Sequence, residues 1–132
     1  KNENSKERSE KMDKLKLRLE ILKNSSIIDE QIYEELINFM FRLRDKWEIE
    51  LTEENGAMMI THIAMALKRI KNGEPVSKID ENVYIEVLKS DKLDEIEKIY
   101  EDISENIFKE EIPEEEKKYI YVNLLIVKEN QI

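Results

Sequence analysis

Residues 58–69 read MMITHIAMALKR and combine an apolar helical pattern with the only histidine of the chain, His62. The apolar positions in and after this segment recur at three- and four-residue steps, the period of one buried helix face: Met59, Ile60, Ile63, Ala66, Leu67 and Ile70. Imidazole changes its charge near neutral pH, and it can also accept a phosphoryl group or bind a metal. The segment therefore predicts a long amphipathic helix that carries the most chemically versatile side chain of the chain.

The same period recurs through the rest of the sequence. It predicts helices over 12–23, 29–47, 52–72, 80–89, 91–109 and 113–128. Residues typical of helix ends bound these segments: Asp29 and Asp80 as N-caps, Asn72-Gly73 as a C-cap, Ser90 or Asp91 before the fifth helix, and Pro113 at the first position of the sixth. No segment favours a strand. The sequence therefore predicts an all-α fold, a compact antiparallel bundle of five main helices with an additional N-terminal helix.

Domain organisation is predicted to be simple. Residues 1–11 (KNENSKERSEK) contain no apolar side chain, so we expect a disordered arm there. A chain of 132 residues is long enough for one core of ordinary size, and no internal repeat or linker interrupts it. We therefore expect residues 12–132 to form a single domain.

Composition argues against several classes of protein. A formal net charge of −9 disfavours direct binding to nucleic acid, because neutralising phosphates requires clustered Lys and Arg. The absence of cysteine excludes disulfides and the usual structural zinc sites, and no apolar run approaches the length of a membrane span. We expect a cytoplasmic location, no membrane contact, no cofactor and no metal.

Two segments, taken together, resemble the PTS regulation domain (PRD), a helical module of bacterial antiterminators and activators controlled by the sugar phosphotransferase system. The first is THIAMALKR at 61–69, where the family has Asp-His-Ile followed by an apolar helix and an arginine. The second is IPEEEKKYIYVNL at 112–124, where the family has Ile/Leu-Pro-Glu-x-Glu-x-Gly-Phe/Tyr-Ile-x-Leu-His. The order and spacing of the two segments also agree, and the resemblance spans residues 25–127.

The resemblance assigns expected roles to individual residues. His62 takes the place of the first phosphorylatable histidine of the family, and Arg69 that of its helix arginine, a candidate phosphate partner. Four further residues match motif positions of the second segment: Pro113, Glu116, Tyr119 and Ile120.

Two positions depart from the family pattern. Lys118 replaces a glycine, and Asn123 stands where the second histidine belongs. An amide cannot form phosphohistidine, which reduces a two-site scheme to one site. We expect His62 and Asn123 to lie near each other with Arg69 close by, so that Asn123 either hydrogen-bonds phosphorylated His62 or satisfies a neutral imidazole.

Structural explanations stay open beside these roles. His62 also fits a partly buried, hydrogen-bonded helix histidine without chemistry. Arg69 fits a solvated charge at a helix end, and Asn123 fits a polar residue that fixes helix register or dimer pairing.

The resemblance implies a non-enzymatic regulatory domain that responds to phosphorylation at one histidine and acts on transcription through a partner. Its expected partners are the phosphocarrier protein of the phosphotransferase system and an unidentified effector. A homodimer is also expected, from the resemblance and from the apolar side chains of Phe39, Phe41 and Trp47. Two alternatives stay open: a phosphorylation-independent dimerisation or scaffold protein, and an accessory subunit of a metabolic enzyme. No nucleophile–base pair, glycine-rich phosphate loop or spaced ligand set indicates an enzyme.

Overall fold

The computed structural model describes residues 5–74 and 77–131, with side chains from residue 12 onward. These residues form six α-helices and no strand: α1 (Ser5–Asn24), α2 (Glu30–Trp47), α3 (Glu53–Lys71), α4 (Glu81–Lys89), α5 (Leu93–Asn106) and α6 (Glu114–Glu129). The predicted all-α class and the six helices are confirmed. The backbone groups into two compact units, Lys1–Ala64 and Met65–Ile132, whose boundary falls within α3. A single domain over 12–132 stays a prediction.

Helix α1 is longer than the sequence pattern predicts. It begins at Ser5 and so runs through residues 5–11, where we expected a disordered arm. Lys, Glu and Arg are good helix formers, so a charged segment continues a helix whose apolar stripe begins further along the chain. Residues 1–4 of the expected arm lie outside the described residues.

The first unit has a core of apolar side chains from α1, α2 and α3. Helices α1 and α2 pack against each other, and the fully buried side chains of these two helices include Leu15, Leu19, Leu36, Phe39 and Leu43. The interpretation of Phe39 as an apolar residue available for dimerisation is wrong, because its side chain is 0% exposed. Phe41 and Trp47 are half-buried.

The second unit is built from α4, α5 and α6, which pack against one another, together with the end of α3. Its buried apolar residues follow the predicted helical period: Val87 in α4; Ile96, Ile99 and Ile103 in α5; Ile120, Leu124 and Val127 in α6. Within the part of the chain that is described, no helix combines the length and apolar character that crossing a bilayer requires.

Most of the predicted helix ends are confirmed. The Asp29 carboxylate accepts a hydrogen bond from the backbone N–H of Ile32 at 2.8 Å, and Asp80 caps α4 in the same way. Helix α3 ends at Lys71 and is followed by Gly73, which has φ +68, in a turn where the N–H of Glu74 bonds to the carbonyl of Arg69 at 2.9 Å. Only glycine adopts that backbone conformation without steric cost.

Three helix starts differ from the prediction in detail. Helix α5 begins at Leu93 with Lys92 at the capping position, and the Ser90 hydroxyl accepts a hydrogen bond from the Lys92 N–H at 3.0 Å. Pro113 occupies the capping position of α6, one residue before the helix itself. Thr52 and Asn55 cap α3 reciprocally, each side chain accepting a bond from the other's backbone N–H.

Candidate functional site

His62 lies in the middle of α3, at the margin of its buried face. The next two residues, Ile63 and Ala64, are fully buried, whereas Met58 one turn earlier is 79% exposed. The imidazole is half-buried, and its Nε2 atom is shielded from solvent. A partner protein can therefore meet only the part of the ring that stays exposed.

Arg69 and Glu116 form a bidentate ion pair between α3 and α6 within the second unit. The Nε atom of Arg69 donates to Oε2 of Glu116 at 3.1 Å, and its Nη2 donates to Oε2 at 2.9 Å and to Oε1 at 3.2 Å. Glu116 is 1% exposed, while the Arg69 side chain is 29% exposed. Among the described residues, Nη1 of Arg69 has no hydrogen-bond partner. One edge of the guanidinium is therefore bound to Glu116, and Nη1 is left for another acceptor.

Energetics favour keeping this pair intact. Removing one partner of a buried ion pair costs about 3–5 kcal/mol, because an uncompensated charge is left behind. We therefore expect the pair of Arg69 with Glu116 to stay intact in the folded chain.

The first turn of α6 also holds the segment that precedes α4. The Glu115 carboxylate accepts a hydrogen bond from the Ile79 N–H at 3.2 Å and pairs with the Lys118 ammonium at 3.2 Å. These two interactions, the backbone bond first, hold the pKa of Glu115 below its usual value, and Glu115 raises the pKa of Lys118. The Tyr119 hydroxyl donates to the carbonyl of Lys78 at 3.5 Å. Lys118, which replaces the family glycine, thus pairs with the carboxylate that binds the segment before α4.

Asn123 hydrogen-bonds within its own helix. Its amide nitrogen donates to the carbonyl of Tyr119, one turn earlier on α6, at 2.8 Å. Asn123 is half-buried, and Ile120 in the preceding turn is 1% exposed. Asn123 thus ties its amide to the backbone of α6, the behaviour of a polar residue on a largely apolar helix face.

Two tyrosines of the second unit form an aromatic pair under a lysine. The rings of Tyr100 and Tyr121 meet edge to face with centroids 5.4 Å apart. The Lys117 ammonium lies 5.6 Å and 5.5 Å from the two ring centroids, within the range of a cation–π interaction. Burial raises the pKa of both phenols to about 12.

The structure joins two of the residues that sequence reasoning named separately. Arg69 and Glu116 form an ion pair, although they lie 47 positions apart in the sequence. Pro113, immediately before α6, is exposed to solvent. The roles of His62 and Arg69 in phosphate chemistry, and the proximity of His62 to Asn123, stay predictions. Sequence reasoning missed the bond of Glu115 to Ile79, 36 positions away, because nothing in either segment signals it. In the ranges 5–74 and 77–131, no three His, Cys, Asp or Glu residues form a group that could hold a metal ion.

Comparison with known proteins identifies the family. The family model described as PRD domain matches residues 34–127, which include His62, Arg69 and the first turn of α6. An uncharacterized protein YhfY of Escherichia coli (strain K12) is 26% identical over 110 residues, which cover 83% of this chain and 91% of that protein.

A second relative is an uncharacterized protein of Haemophilus influenzae (strain Rd), 28% identical over 111 residues that cover 80% of this chain and 88% of that protein. No solved structure matches the chain. Because the family model spans more than half of its length, the chain belongs to the PRD domain family, whose members are regulatory rather than catalytic.

Proposed function

We propose that this chain is a cytoplasmic regulator in which His62 accepts a phosphoryl group from the phosphocarrier protein of the phosphotransferase system, and which acts on transcription through a partner protein. The observation that carries the proposal is the position of His62, half-buried on α3 two turns before Arg69 and inside the region matched by the family model. At a separation of seven positions, the two Cα atoms lie about 10.5 Å apart along one helix.

The transfer itself exchanges one nitrogen–phosphorus bond for another. The unprotonated ring nitrogen of His62 attacks the phosphorus of the carrier's phosphohistidine, and the carrier's imidazole leaves with the electron pair of the broken bond. Nε2 of His62 is shielded from solvent, so transfer to that atom would require the ring or its neighbours to move. Two-dimensional nitrogen–phosphorus NMR of the phosphorylated chain identifies which ring nitrogen carries the phosphoryl group.

The phosphoryl group then changes the electrostatics of α3. It adds about −1.5 to −2 charges at neutral pH and three strong acceptor oxygens. Arg69 supplies a cation and Asn123 an amide that can donate hydrogen bonds, so that one histidine suffices for a switch. A new charge at the rim of a helix face repacks the surfaces that meet there, including that of a partner or second copy.

A second candidate is a phosphorylation-independent dimerisation or scaffold protein. The bond of Asn123 to the Tyr119 carbonyl favours it, because an amide already engaged within α6 has less capacity for a phosphoryl group. Self-association in either candidate would use exposed apolar side chains. Those more than half exposed are Leu17, Ile21, Met58 and Leu88.

The deciding experiment is phosphotransfer from the purified phosphocarrier, followed by intact-mass measurement and peptide mapping. His62 is the only histidine, so a His62→Ala variant must lose all of the added mass. The His62→Asp and His62→Ala variants are then compared with wild type for self-association by light scattering and for partner binding. A phosphorylated chain whose His62→Asp variant behaves differently from His62→Ala supports the regulator. No added mass, together with wild-type behaviour of both variants, favours the scaffold.

A further inference from the structure

We propose that the outward face of α1 is a self-association surface, against which α1 of a second copy of this chain packs in parallel. We call this face the α1 strip; its side chains are Lys14, Leu17, Ile21 and Asn24. Helix α1 precedes residues 34–127, which the family model matches, so the family match assigns no role to the strip. The proposal goes beyond the proposed function, because it does not depend on phosphorylation of His62.

The α1 strip exposes apolar side chains that the core does not use. Leu17 and Ile21 are each 56% exposed and lie one helical turn apart. The helical repeat places both on the side of α1 opposite Leu19, which is 0% exposed. Lys14 and Asn24, which continue the strip in both directions, are exposed as well. Helix α1 therefore has two apolar faces, one in the core of the first unit and one in solvent.

The spacing of the strip is that of a short parallel coiled coil. Its members recur at steps of three, four and three residues, which places Ile21 at an a position and Leu17 at a d position of the heptad. Isoleucine at a with leucine at d favours parallel pairs of two helices. Because the strip is only about 15 Å long, we expect a contact smaller than those of stable complexes and a dimer that dissociates readily.

The charges beside the strip select the parallel orientation. Asp13 and Glu20 lie along one flank of the strip, and Arg18 lies along the other. In a parallel pair, the acidic flank of each copy meets the basic flank of the other, so that Asp13 faces Arg18 twice. In an antiparallel pair centred on the strip, each flank meets the same flank of the other copy, which brings like charges together. The sequence of α1 is therefore complementary to itself in one orientation only.

Arg18 is already held at its flank by its own chain. Its Nε and Nη2 atoms donate to Oε2 of Glu53 at 3.2 and 2.7 Å, and its side chain is 42% exposed. The guanidinium is thus oriented and accessible to Asp13 of the second copy. Exposed ion pairs contribute little affinity, so these charges determine the orientation, whereas Leu17 and Ile21 supply most of the binding energy.

A matched pair of substitutions tests the apolar part of the surface. Sedimentation velocity over a range of concentrations measures dimerisation of wild type, of Leu17→Gln and of Leu88→Gln, a control at a residue of α4 that is 51% exposed. We expect Leu17→Gln to raise the dissociation constant about tenfold or more and Leu88→Gln to leave it unchanged. Circular dichroism checks that both variants are folded. A wild type that stays monomeric up to millimolar concentration, or equal effects of the two substitutions, overturns the proposal.

The orientation is tested by cross-linking, for which a chain without cysteine is well suited. Asn24→Cys places a thiol on the strip, and Asn38→Cys places one at an exposed position of α2. With a short bismaleimide, we expect Asn24→Cys to form dimers about tenfold faster than Asn38→Cys. In an antiparallel pair, the two residues 24 would be about 15 Å apart along the helix axis, and Asn24→Cys would instead link to Lys14→Cys. That result, or equal rates for the two asparagine variants, overturns the parallel pairing.

A charge swap tests the contact between Asp13 and Arg18. Asp13→Lys and Arg18→Glu each place like charges opposite one another in a parallel pair, so each variant alone should dimerise less than wild type. A mixture of the two restores opposite charges at both contacts, and the mixed dimer should be stronger than either homodimer. No preference for the mixed dimer overturns the assigned pairing. Failure of the phosphocarrier to modify His62 bears on the proposed function alone.

Discussion

Each of the two units is stabilised internally, and the ion pairs inside them differ in burial. In Lys1–Ala64, helices α1 and α2 join through apolar side chains, and the long-range ion pair between Arg18 and Glu53 is exposed on both sides, at 42% and 37%. In Met65–Ile132, the ion pair of Arg69 with Glu116 has one member 1% exposed. The long-range ion pair of the first unit is thus exposed at both partners, whereas that of the second unit has a buried carboxylate.

The two kinds of contact predict different sensitivities to substitution in the two units. Apolar burial scales with area and tolerates replacements of similar volume. A buried ion pair adds little compared with an apolar substitute, yet loss of one partner is costly. Equivalent changes in the two units should therefore have unequal effects.

The largest effect is expected from Phe39→Ala in the first unit. Removing a fully buried phenylalanine costs about 3–5 kcal/mol of stability, through lost burial and the cavity that remains. Urea denaturation followed by circular dichroism measures the change in the free energy of unfolding. Phe41→Ala, at a half-buried neighbour, is the control and should cost clearly less; equal losses would contradict the buried position of Phe39.

Arg69→Met should cause the next largest loss of stability. It leaves the Glu116 carboxylate buried without its cation, at a cost of about 3 kcal/mol, the lower end of the range for buried pairs because Arg69 is itself 29% exposed. The matched change in the first unit, Arg18→Met, removes an exposed pair and should cost about 1 kcal/mol or less.

The same urea measurement gives both values. Combining Arg69→Met with Glu116→Gln should restore part of the lost stability, because the buried charge is then gone. A double variant no more stable than Arg69→Met alone would argue against the ion pair as the cause.

Replacing either of two glycines by alanine should lower stability by a smaller amount, for a different reason at each position. In the first unit, a Cβ on Gly56 would lie 2.9 Å from Cβ of Leu51 and 3.4 Å from Cδ1 of Leu15. Gly56→Ala should therefore cost about 1–2 kcal/mol from crowding, after the gain in helix propensity is subtracted.

Gly73, in the second unit, has open space around it but a φ of +68. Gly73→Ala should cost about 1–2 kcal/mol through backbone strain alone. Thermal denaturation of both variants tests the distinction: Leu51→Gly, which removes the Cβ 2.9 Å away, should relieve the Gly56→Ala variant in a double-mutant cycle, and it should not relieve Gly73→Ala. Additive effects of Leu51→Gly and Gly56→Ala would rule out the crowding explanation.

The smallest effect concerns alkaline pH and falls on the second unit. Burial raises the pKa of Tyr100 and Tyr121 to about 12, above the value of about 10 for a free tyrosine. Because the folded state favours the neutral phenols, their contribution to stability is complete below pH 10 and is lost as the pH rises towards 12. Phenolate absorbance should show these two residues ionising at the highest pH. Tyr100→Phe should remove one of these two ionisations. Ionisation of all the tyrosines together near pH 10 in the folded chain would contradict the burial of this pair.

Periodicity and end signals suffice to predict the helices, because both depend on residues close together in the sequence. Asp29, Asp80 and Gly73 occupy the predicted capping positions for local stereochemical reasons. The extension of α1 to Ser5 was missed, since an apolar stripe does not report how far a charged segment continues a helix. The pairing of Arg69 with Glu116 depends on how α3 meets α6, and no local pattern encodes a contact 47 positions apart. The family motif contains both residues without indicating that they touch.

The distribution of aromatic residues provides an optical reporter for each unit. The only tryptophan, Trp47, ends α2 in the first unit, whereas four of the five tyrosines lie in the second: Tyr84, Tyr100, Tyr119 and Tyr121. Fluorescence excited at the red edge of the indole band therefore follows the first unit, and near-ultraviolet tyrosine signals chiefly follow the second. Coincident transitions by the two signals would mean that α3 couples the units into one cooperative system. Separate transitions would make each unit an independent folding module, readable without any added label.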